Sequence, residues 1–394
     1  MNKLYEKQSY LKENTTTVLT CENTSDGIFI TLQDTIFFPE EGGQYADTGT
    51  LILEDTKEEI KLIDGIYIDS DNIKYKVDKP VTPGSTICCH LDWDKRFARM
   101  QNHSGEHILT GLIHNTYGYN NVGFHLSDDG PVTLNMDGML TIEQIRELEY
   151  KANAVIYDNL PITDSYPSKE ELPSISYRSK IDIQGQVRLI TVGNPDNPLD
   201  VCACCAPHVA RTGEIGIIKV IYATKFKGGI QIGILCGKRA LEYINHEQDT
   251  LSRVASLLTT HADNVPGIVE AHMSEIAHLK AELSALREKQ LTDCIMHMSK
   301  QDPHCIFTDS DLSVANMKNL FNALAERFEG YVGVFVGNDT EGYRYYAGSS
   351  NLDSRDLATS MREKLGAKGG GNSDMIQGRV EANSESISQL FLLP

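Results

Sequence analysis

The stretch His103-Ser-Gly-Glu-His107 is the most informative part of the sequence, because it places two histidines inside a segment with helical periodicity. Apolar side chains recur at helical spacing through Met100, Ile108 and Leu112, which predicts a helix over 97–114. Two histidines four residues apart lie on one face of a helix, one turn apart. Their imidazole rings can therefore reach the same cation.

A second stretch, Cys204-Cys-Ala-Pro-His208, repeats this spacing further along the chain. Either motif alone is more often a pair of ordinary surface or core residues, and the fold must bring the two together. As a pair they supply imidazole nitrogens and a thiolate, which Zn²⁺ prefers in tetrahedral sites. Spacing selects Cys204, while Cys202 or Cys205 could replace it or make the site sensitive to oxidation. We expect one Zn²⁺ per chain, bound by His103, His107, Cys204 and His208.

Length and composition indicate a globular protein of two or three domains, since the chain has 394 residues, of which 40% are hydrophobic. We expect a cytoplasmic protein, because the sequence shows no long apolar run and no signal peptide, and its nine cysteines do not resemble a disulfide framework. The net charge of −19 argues against a protein that coats nucleic acid by bulk electrostatics. A local basic patch could still bind RNA, drawn from Lys95, Arg96, Arg99, Arg211, Lys225 and Lys227.

The first part of the chain, residues 1–90, is predicted to form a small β-barrel, because it consists of short stretches rich in β-branched residues with turn residues between them. The predicted strands are 16–21, 27–32, 60–63, 66–68 and 73–77. A loop over 39–49 interrupts them. Its Gly42-Gly43 pair allows backbone to approach a ligand, and Gln44 offers both donors and acceptors. Composition alone favours a plain hairpin turn at this loop.

Residues 91–236 are predicted to form an α/β domain that contains both candidate metal-binding motifs. After the histidine helix, a second helix is predicted over 141–159, opened by a capping box between Thr141 and Gln144. Strands are predicted near 175–177, 187–192, 215–221 and 229–234. The cysteine-bearing stretch would then lie in the connection between Val192 and Ile215, beside the sheet.

The last two parts are a helical segment and a further α/β domain. Residues 237–300 carry leucines at steps of three and four, which predicts a helical hairpin or coiled coil broken at 264–267. Residues 301–394 are predicted as strand, helix, hairpin and helix, followed by the glycine-rich run 366–371. Such a run before a helix can cradle phosphate, although a flexible turn is the more frequent explanation. The predicted fold class is therefore α+β and α/β, multidomain.

Three motifs in this order resemble one known family. His103 to Leu109 resembles the HxxxH element of the alanyl-tRNA synthetase editing domain, and 200–216 resembles its CxxxH element. The run Phe38-Pro-Glu-Glu-Gly-Gly-Gln44 resembles the glycine-rich loop of that domain. The best match is the free-standing AlaX family in its long form. Editing domains of threonyl-tRNA synthetases share the histidine and cysteine motifs, so the reaction is better indicated than the tRNA.

The resemblance implies a zinc-dependent hydrolase that removes serine, and in some members glycine, from mischarged tRNA(Ala). It assigns catalysis to Gln44, His103 and His107, with Gly42 and Gly43 beside the substrate. It also implies that the glycine-rich run belongs to a C-terminal DHH-associated domain. That domain would contact tRNA through Lys368, Gly369, Gly370, Gly371 and Arg379, and with the preceding helices would form a homodimer. No counterpart of the aminoacylation domain is seen, so the chain is not expected to charge tRNA.

Two other functions stay open from the residues themselves. Glu106 gives an H-x-x-E-H order that resembles an inverted zinc-peptidase motif, with Glu106 as general base. A cysteine ligand argues against that reading, because a thiolate lowers the Lewis acidity of the metal. A non-catalytic tRNA-binding protein with structural zinc is the other alternative. Zinc in an editing site could acidify a water, or instead hold the substrate amino group or order the site.

Overall fold

The structure, a computed structural model, describes residues 1–69, 71–126, 128–179, 186–309 and 312–392. Its contacts divide the chain into two compact units, Met1–Leu251 and Ser252–Pro394. The division of the chain into four parts, 1–90, 91–236, 237–300 and 301–394, stays a prediction. None of the helices in these described ranges combines the length and the apolar character that crossing a bilayer requires.

A closed six-stranded barrel opens the first unit, in the strand order β2-β3-β7-β6-β5-β8. The elements of this region are β1 (Asn2–Lys3), α1 (Leu4–Lys7), β2 (Glu13–Thr24), β3 (Gly27–Leu32), β4 (Asp34–Thr35), β5 (Gly49–Leu53), β6 (Glu59–Tyr67), β7 (Ile73–Val77) and β8 (Thr86–Leu91). Alternate side chains of β7 are fully or almost fully buried, as expected when one strand face lines the interior. The predicted small barrel is confirmed.

Two details of the barrel differ from the prediction. The segments predicted as separate strands at 60–63 and 66–68 form one strand, β6, whose register shifts between Leu62 and Asp64. The strands β5 and β8 were not predicted, yet they pair with each other and close the barrel. A bulge lets a long strand bend around a small barrel, which explains why one strand looked like two.

The rest of the first unit packs two antiparallel sheets and two helices together. Its elements are α2 (Trp93–Tyr117), β9 (Asn121–His125), β10 (Val132–Met136), α3 (Ile142–Tyr157), β11 (Ile162–Ser165), β12 (Leu189–Asn194), β13 (Asn197–Ala203), β14 (Ile218–Phe226) and β15 (Gly229–Cys236). One sheet has the order β14-β15-β10-β9 and the other β11-β12-β13. A single apolar cluster joins α2, α3 and both sheets, so the histidine helix lies in the core.

The histidine helix α2 can lie close to the sheet because it carries a glycine between its two histidines. A Cβ built on Gly105 would lie 2.4 Å from the Sγ of Cys236 on β15, which is closer than any real side chain tolerates. The helix ends at Gly118 in the left-handed conformation, at φ +73°, which glycine adopts readily. The capping box predicted for α3 is present, with both hydrogen bonds between Thr141 and Gln144.

One predicted feature of this region is wrong. No strand covers 175–177; Leu172–Ser174 forms a short 3₁₀ turn and Ile175 follows it. Cys204 lies in the connection between Val192 and Ile215, as predicted, but this connection also contains β13, which was not predicted. Cys204 therefore directly follows the end of a strand.

The helical segment comprises α4 (Gly237–Leu257), which crosses the boundary between the two units, and α5 (Val265–His297). The break between them is at 258–264, and Pro266 lies in the first turn of α5 rather than in the break, where its missing N–H is tolerated. Exposed apolar side chains follow α5 at coiled-coil spacing: Ile276, Leu279, Leu283 and Leu286. A hairpin between α4 and α5 stays a prediction.

The second unit contains a five-stranded sheet of the order β16-β17-β18-β20-β19. Its further elements are β16 (Cys305–Thr308), α6 (Val314–Arg327), β17 (Val332–Asn338), β18 (Gly342–Gly348), α7 (Ser354–Leu365), β19 (Lys368–Gly371), β20 (Met375–Val380) and α8 (Ser384–Leu390). The glycine-rich run is therefore an exposed edge strand followed by another strand. The run does not precede a helix, so its interpretation as a phosphate-binding loop at a helix start is wrong.

Candidate metal centre

Four side chains from the two sequence motifs meet at one point of the first unit. They are His103 and His107 from α2, and Cys204 and His208 from the segment after β13. Their possible ligand atoms all lie within 4.8 Å of one another. The histidines are buried and Cys204 is half-buried, so the cluster is largely shielded from solvent.

The distances within the cluster fit a tetrahedral metal site. The Sγ of Cys204 lies 3.5 Å from the Nε2 of His103 and 3.3 Å from the Nε2 of His208. Zinc bonds of usual length would place nitrogen and sulfur vertices of a tetrahedron about 3.5 Å apart. One thiolate and three imidazoles are also a donor set that suits zinc. These residues therefore fit the metal that the sequence predicts.

Each histidine ring of the cluster has a polar side chain beside its Nδ1 atom. The Nδ1 of His103 lies 2.8 Å from the Oε1 of Gln44. The Nδ1 of His208 lies 3.0 Å from Ser104 Oγ, and a carboxylate oxygen of Asp200 lies 3.4 Å from the Nδ1 of His107. Such outer contacts fix the tautomer and the orientation of metal-binding histidines. All three rings can therefore present Nε2 to one ion.

The electrostatics around Cys204 and His208 favour the protonation states that a metal requires. Burial alone would raise the pKa of the Cys204 thiol, but His103 and His208 hold this pKa well below its usual value. Burial lowers the pKa of His208 to about 3. The cluster therefore offers a thiolate beside a neutral imidazole, as metal binding needs.

Asp200 is a member of the site to which the sequence analysis gave no role. It is buried on β13, and Arg178 donates to both of its carboxylate oxygens, at 2.7 and 2.8 Å. Burial alone would lower the pKa of His107, but Cys202 and Asp200 raise it well above its usual value. These groups therefore stabilise a positive charge at His107, whether a proton or a metal ion carries it. Alternation along a strand, which puts Asp200 and Cys202 on one face, was the available signal.

The two neighbouring cysteines have different surroundings from Cys204. Cys202 is buried in a second group with His107 and Asp200. Cys205 is half-buried, and burial, together with Cys204 and Glu41, raises the pKa of its thiol. Only Cys204, of the three, joins the group of four side chains.

The glycine pair Gly42-Gly43 forms a tight turn that places Gln44 on the cluster. Both glycines have positive φ, +61° and +85°, and the backbones of Glu41 and Gln44 exchange hydrogen bonds of 3.0 and 3.1 Å across the turn. A Cβ on Gly43 would lie 2.5 Å from the carbonyl oxygen of Phe124. Gln44 is fully buried, and among the described residues its Nε2 has no hydrogen-bond partner.

Two arginines proposed for a basic surface patch are instead buried, and this part of the prediction is wrong. Arg96 is fully buried and Arg99 is 3% exposed. Arg96 forms an ion pair with buried Asp47 and donates to the Ile36 carbonyl oxygen, while Arg99 donates to that of Ala46. They bind the loop that carries Gln44 to the helix that carries the histidines.

Glu106, the general base of the peptidase alternative, is buried in the core and accepts hydrogen bonds there. Its Oε1 accepts from the Nδ2 of Asn121 at 2.6 Å and from Thr110 at 3.2 Å, and the side chain is 1% exposed.

The C-terminal candidates lie in the second unit, on the edge strand β19 and its neighbour β20. Lys368 lies directly opposite Arg379, and both side chains are exposed.

One protein-family model matches a part of the chain that contributes to this site. Residues 187–233, which include Cys204 and His208, match the "Threonyl and Alanyl tRNA synthetase second additional domain". Over its full length the chain is 25% identical to alanyl-tRNA editing protein AlaX-L from Pyrococcus horikoshii, of which it covers 98%. The resemblance to the long-form AlaX family is thereby confirmed.

Two further relatives show how the likeness is distributed. An alanine–tRNA ligase from Caldivirga maquilingensis is 28% identical over 95% of this chain, which spans 42% of that enzyme. Alanyl-tRNA editing protein Aarsd1-B from Xenopus laevis is 27% identical over 73% of this chain and 69% of its own length.

Proposed function

We propose that this protein is a trans-editing hydrolase that cleaves the aminoacyl ester of tRNA(Ala) mischarged with serine or glycine. The observation that carries the proposal is the joining of His103, His107, Cys204 and His208 in one cluster, with Gln44 against it. Full-length similarity to a protein named for alanyl-tRNA editing supports the same reaction and substrate. A cytoplasmic location and the absence of aminoacylation activity stay predictions.

The residues that would hold Zn²⁺ are His103, His107, Cys204 and His208. Bound by all four side chains, zinc would have a complete shell and would supply a fixed positive charge beside the ester. Gln44 is the side chain we assign to the substrate, because its Oε1 is used by His103 whereas its Nε2 is buried without a partner among the described residues. That N–H donor is suited to an ester or hydroxyl oxygen of the aminoacyl group.

The deacylase is favoured over a zinc peptidase by the surroundings of Glu106. Its carboxylate is held by Asn121 and Thr110 within the protein core. A general base must be within hydrogen-bond reach of the water from which it takes a proton. The buried hydrogen bonds of Glu106 are typical of a carboxylate that supports a helix.

Deacylation assays on three substrates test the proposed function. We expect fast hydrolysis of Ser-tRNA(Ala) or Gly-tRNA(Ala), sparing of Ala-tRNA(Ala), and loss of the activity after zinc is removed by a chelator. Re-addition of zinc after dialysis is the control for damage by the chelator. If the zinc-loaded protein leaves all three esters intact, the proposal is wrong, and the peptidase and binding-protein alternatives gain support.

We infer that the second unit contacts the tRNA through Lys368, Gly369, Gly370, Gly371 and Arg379. Two cations directly opposite each other on paired strands repel one another, and a bound phosphate would relieve this repulsion. The neighbouring glycines leave the edge of the sheet without side chains, so that a nucleic-acid backbone can approach closely. A homodimer through α5 and this unit stays a prediction, supported by the exposed apolar side chains of α5.

Replacing both Lys368 and Arg379 by alanine is expected to weaken tRNA binding and its dependence on salt. Each lost phosphate contact should reduce the slope of log affinity against log salt concentration by about one. Filter binding over a range of salt concentrations measures this slope. Lys364→Ala, which removes an exposed cation of α7 in the same unit, should leave the slope unchanged. Equal slopes for the double variant and the wild type would exclude this contact surface.

A further inference from the structure

The proposed substrate carries a positive charge, which a carboxylate near the metal cluster could bind. An aminoacyl ester has a free α-amino group, which is largely protonated near neutral pH. A cation that enters a half-buried site needs an anionic partner, since the loss of its hydration is unfavourable. The carboxylates around the cluster are therefore candidates to bind it: Glu41, Glu106 and Asp200.

Two of these carboxylates are buried and accept hydrogen bonds from other side chains of the protein. Both oxygens of Asp200 accept hydrogen bonds from Arg178, and the residue is 6% exposed. Glu106 is 1% exposed and accepts from Asn121 and Thr110. A substrate would have to displace Arg178 to reach Asp200. The second oxygen of Glu106 lies 3.7 Å from the Nε2 of His107, so this carboxylate faces a proposed metal ligand inside the core.

Glu41 differs because it is half-buried and begins the turn that carries Gln44. Its Oε2 accepts a hydrogen bond from the hydroxyl of Tyr67 at 3.1 Å. A carboxylate has about four acceptor positions, so this contact orients Glu41 and leaves capacity for another donor.

We propose that Glu41 binds the α-ammonium group of the aminoacyl ester, while Gln44, at the other end of the same turn, binds an oxygen. This inference rests on the proposed function. It assigns recognition of the amino group to a protein side chain and not to the metal, whose four protein ligands would complete a tetrahedral shell. Substrates would then be selected for a free amino group by a short charge-assisted hydrogen bond.

The test compares two RNA esters that differ only in this group. One RNA carries serine and the other carries glyceric acid, in which a hydroxyl replaces the ammonium group. We expect Glu41→Gln to lower kcat/KM about 10- to 100-fold on the seryl ester, as for a lost hydrogen bond to a charged group, and to leave the glyceryl ester unchanged. Glu40→Gln removes the exposed neighbouring carboxylate and should leave both esters unchanged.

The zinc content of each variant is measured in parallel, so that an effect on the metal is not mistaken for an effect on the substrate. Equal losses on the two esters, or no loss on either, would overturn the role of Glu41 while leaving the proposed function intact. A larger loss on the glyceryl ester would do the same. If the wild-type protein hydrolyses neither ester, the proposed function fails and this inference fails with it.

Discussion

Cys204→Ser is expected to remove most of the bound zinc and to lower kcat/KM for deacylation by more than about 100-fold. Loss of an outer partner of a metal ligand already reduces metal affinity or activity about 10- to 100-fold, and loss of the sole thiolate ligand should exceed this. The Sγ of Cys204 is the atom that lies within 3.5 Å of two histidine nitrogens, so its replacement removes one vertex of the site. Metal analysis and single-turnover deacylation measure the two effects.

The other cysteines of the chain supply the controls for this experiment. Cys294→Ser changes an exposed cysteine of α5 and should keep both metal content and activity. Cys202→Ser and Cys205→Ser distinguish the ligand assignment, and each is expected to retain one zinc per chain. A variant at 202 or 205 that loses the metal, while Cys204→Ser keeps it, would show that the assigned ligand is wrong.

Asp47→Ala is expected to lower the free energy of unfolding of the first unit by about 3–5 kcal/mol, because it leaves the buried charge of Arg96 without its partner. Asp47 also accepts from the backbone N–H of Phe38 at 2.7 Å, so the start of the glycine-rich loop loses a hydrogen bond too. For a unit of this size the melting temperature should fall by roughly 6–20 °C. Thermal unfolding followed by circular dichroism measures the change.

An exposed ion pair of the same barrel gives the matched control. Glu58 and Lys79 form a salt bridge with side chains that are 49% and 46% exposed. Glu58→Ala should change the free energy of unfolding much less than Asp47→Ala does, since solvent screens such pairs. If Asp47→Ala destabilises the protein no more than Glu58→Ala does, the buried pair does not hold the loop to the helix.

The sequence was most informative where local pattern and chemistry coincide. The helix around His103 follows from apolar periodicity, and the spacing of its histidines places both rings on one face. The capping box at Thr141 is likewise a local signal, and the structure contains it. That these rings meet Cys204 depends on contacts across 101 residues, for which local pattern carries no signal. The family resemblance supplied that link.

Tertiary context explains the features that the sequence did not reveal. Arg96 looked like a surface residue because arginine is rarely buried without a partner, and its partner Asp47 is 49 residues away in the chain. The run Lys368–Gly371 looked like a loop because glycine is rare in strands, yet it pairs along β20. Gly49–Leu53 and Thr86–Leu91 are short, and it is their mutual pairing in the barrel that makes them strands.

The outer contacts of the three histidines also bear on how the first unit folds. Gln44 belongs to the loop of the barrel region, Ser104 to α2, and Asp200 to β13, so one ion would join three segments that are distant in sequence. Metal binding and folding are then thermodynamically linked, because the unfolded chain has no preformed site and binding energy becomes folding energy. The ion would cross-link the barrel loop, α2 and the segment after β13, so we expect removal of the metal to lower the stability of this unit.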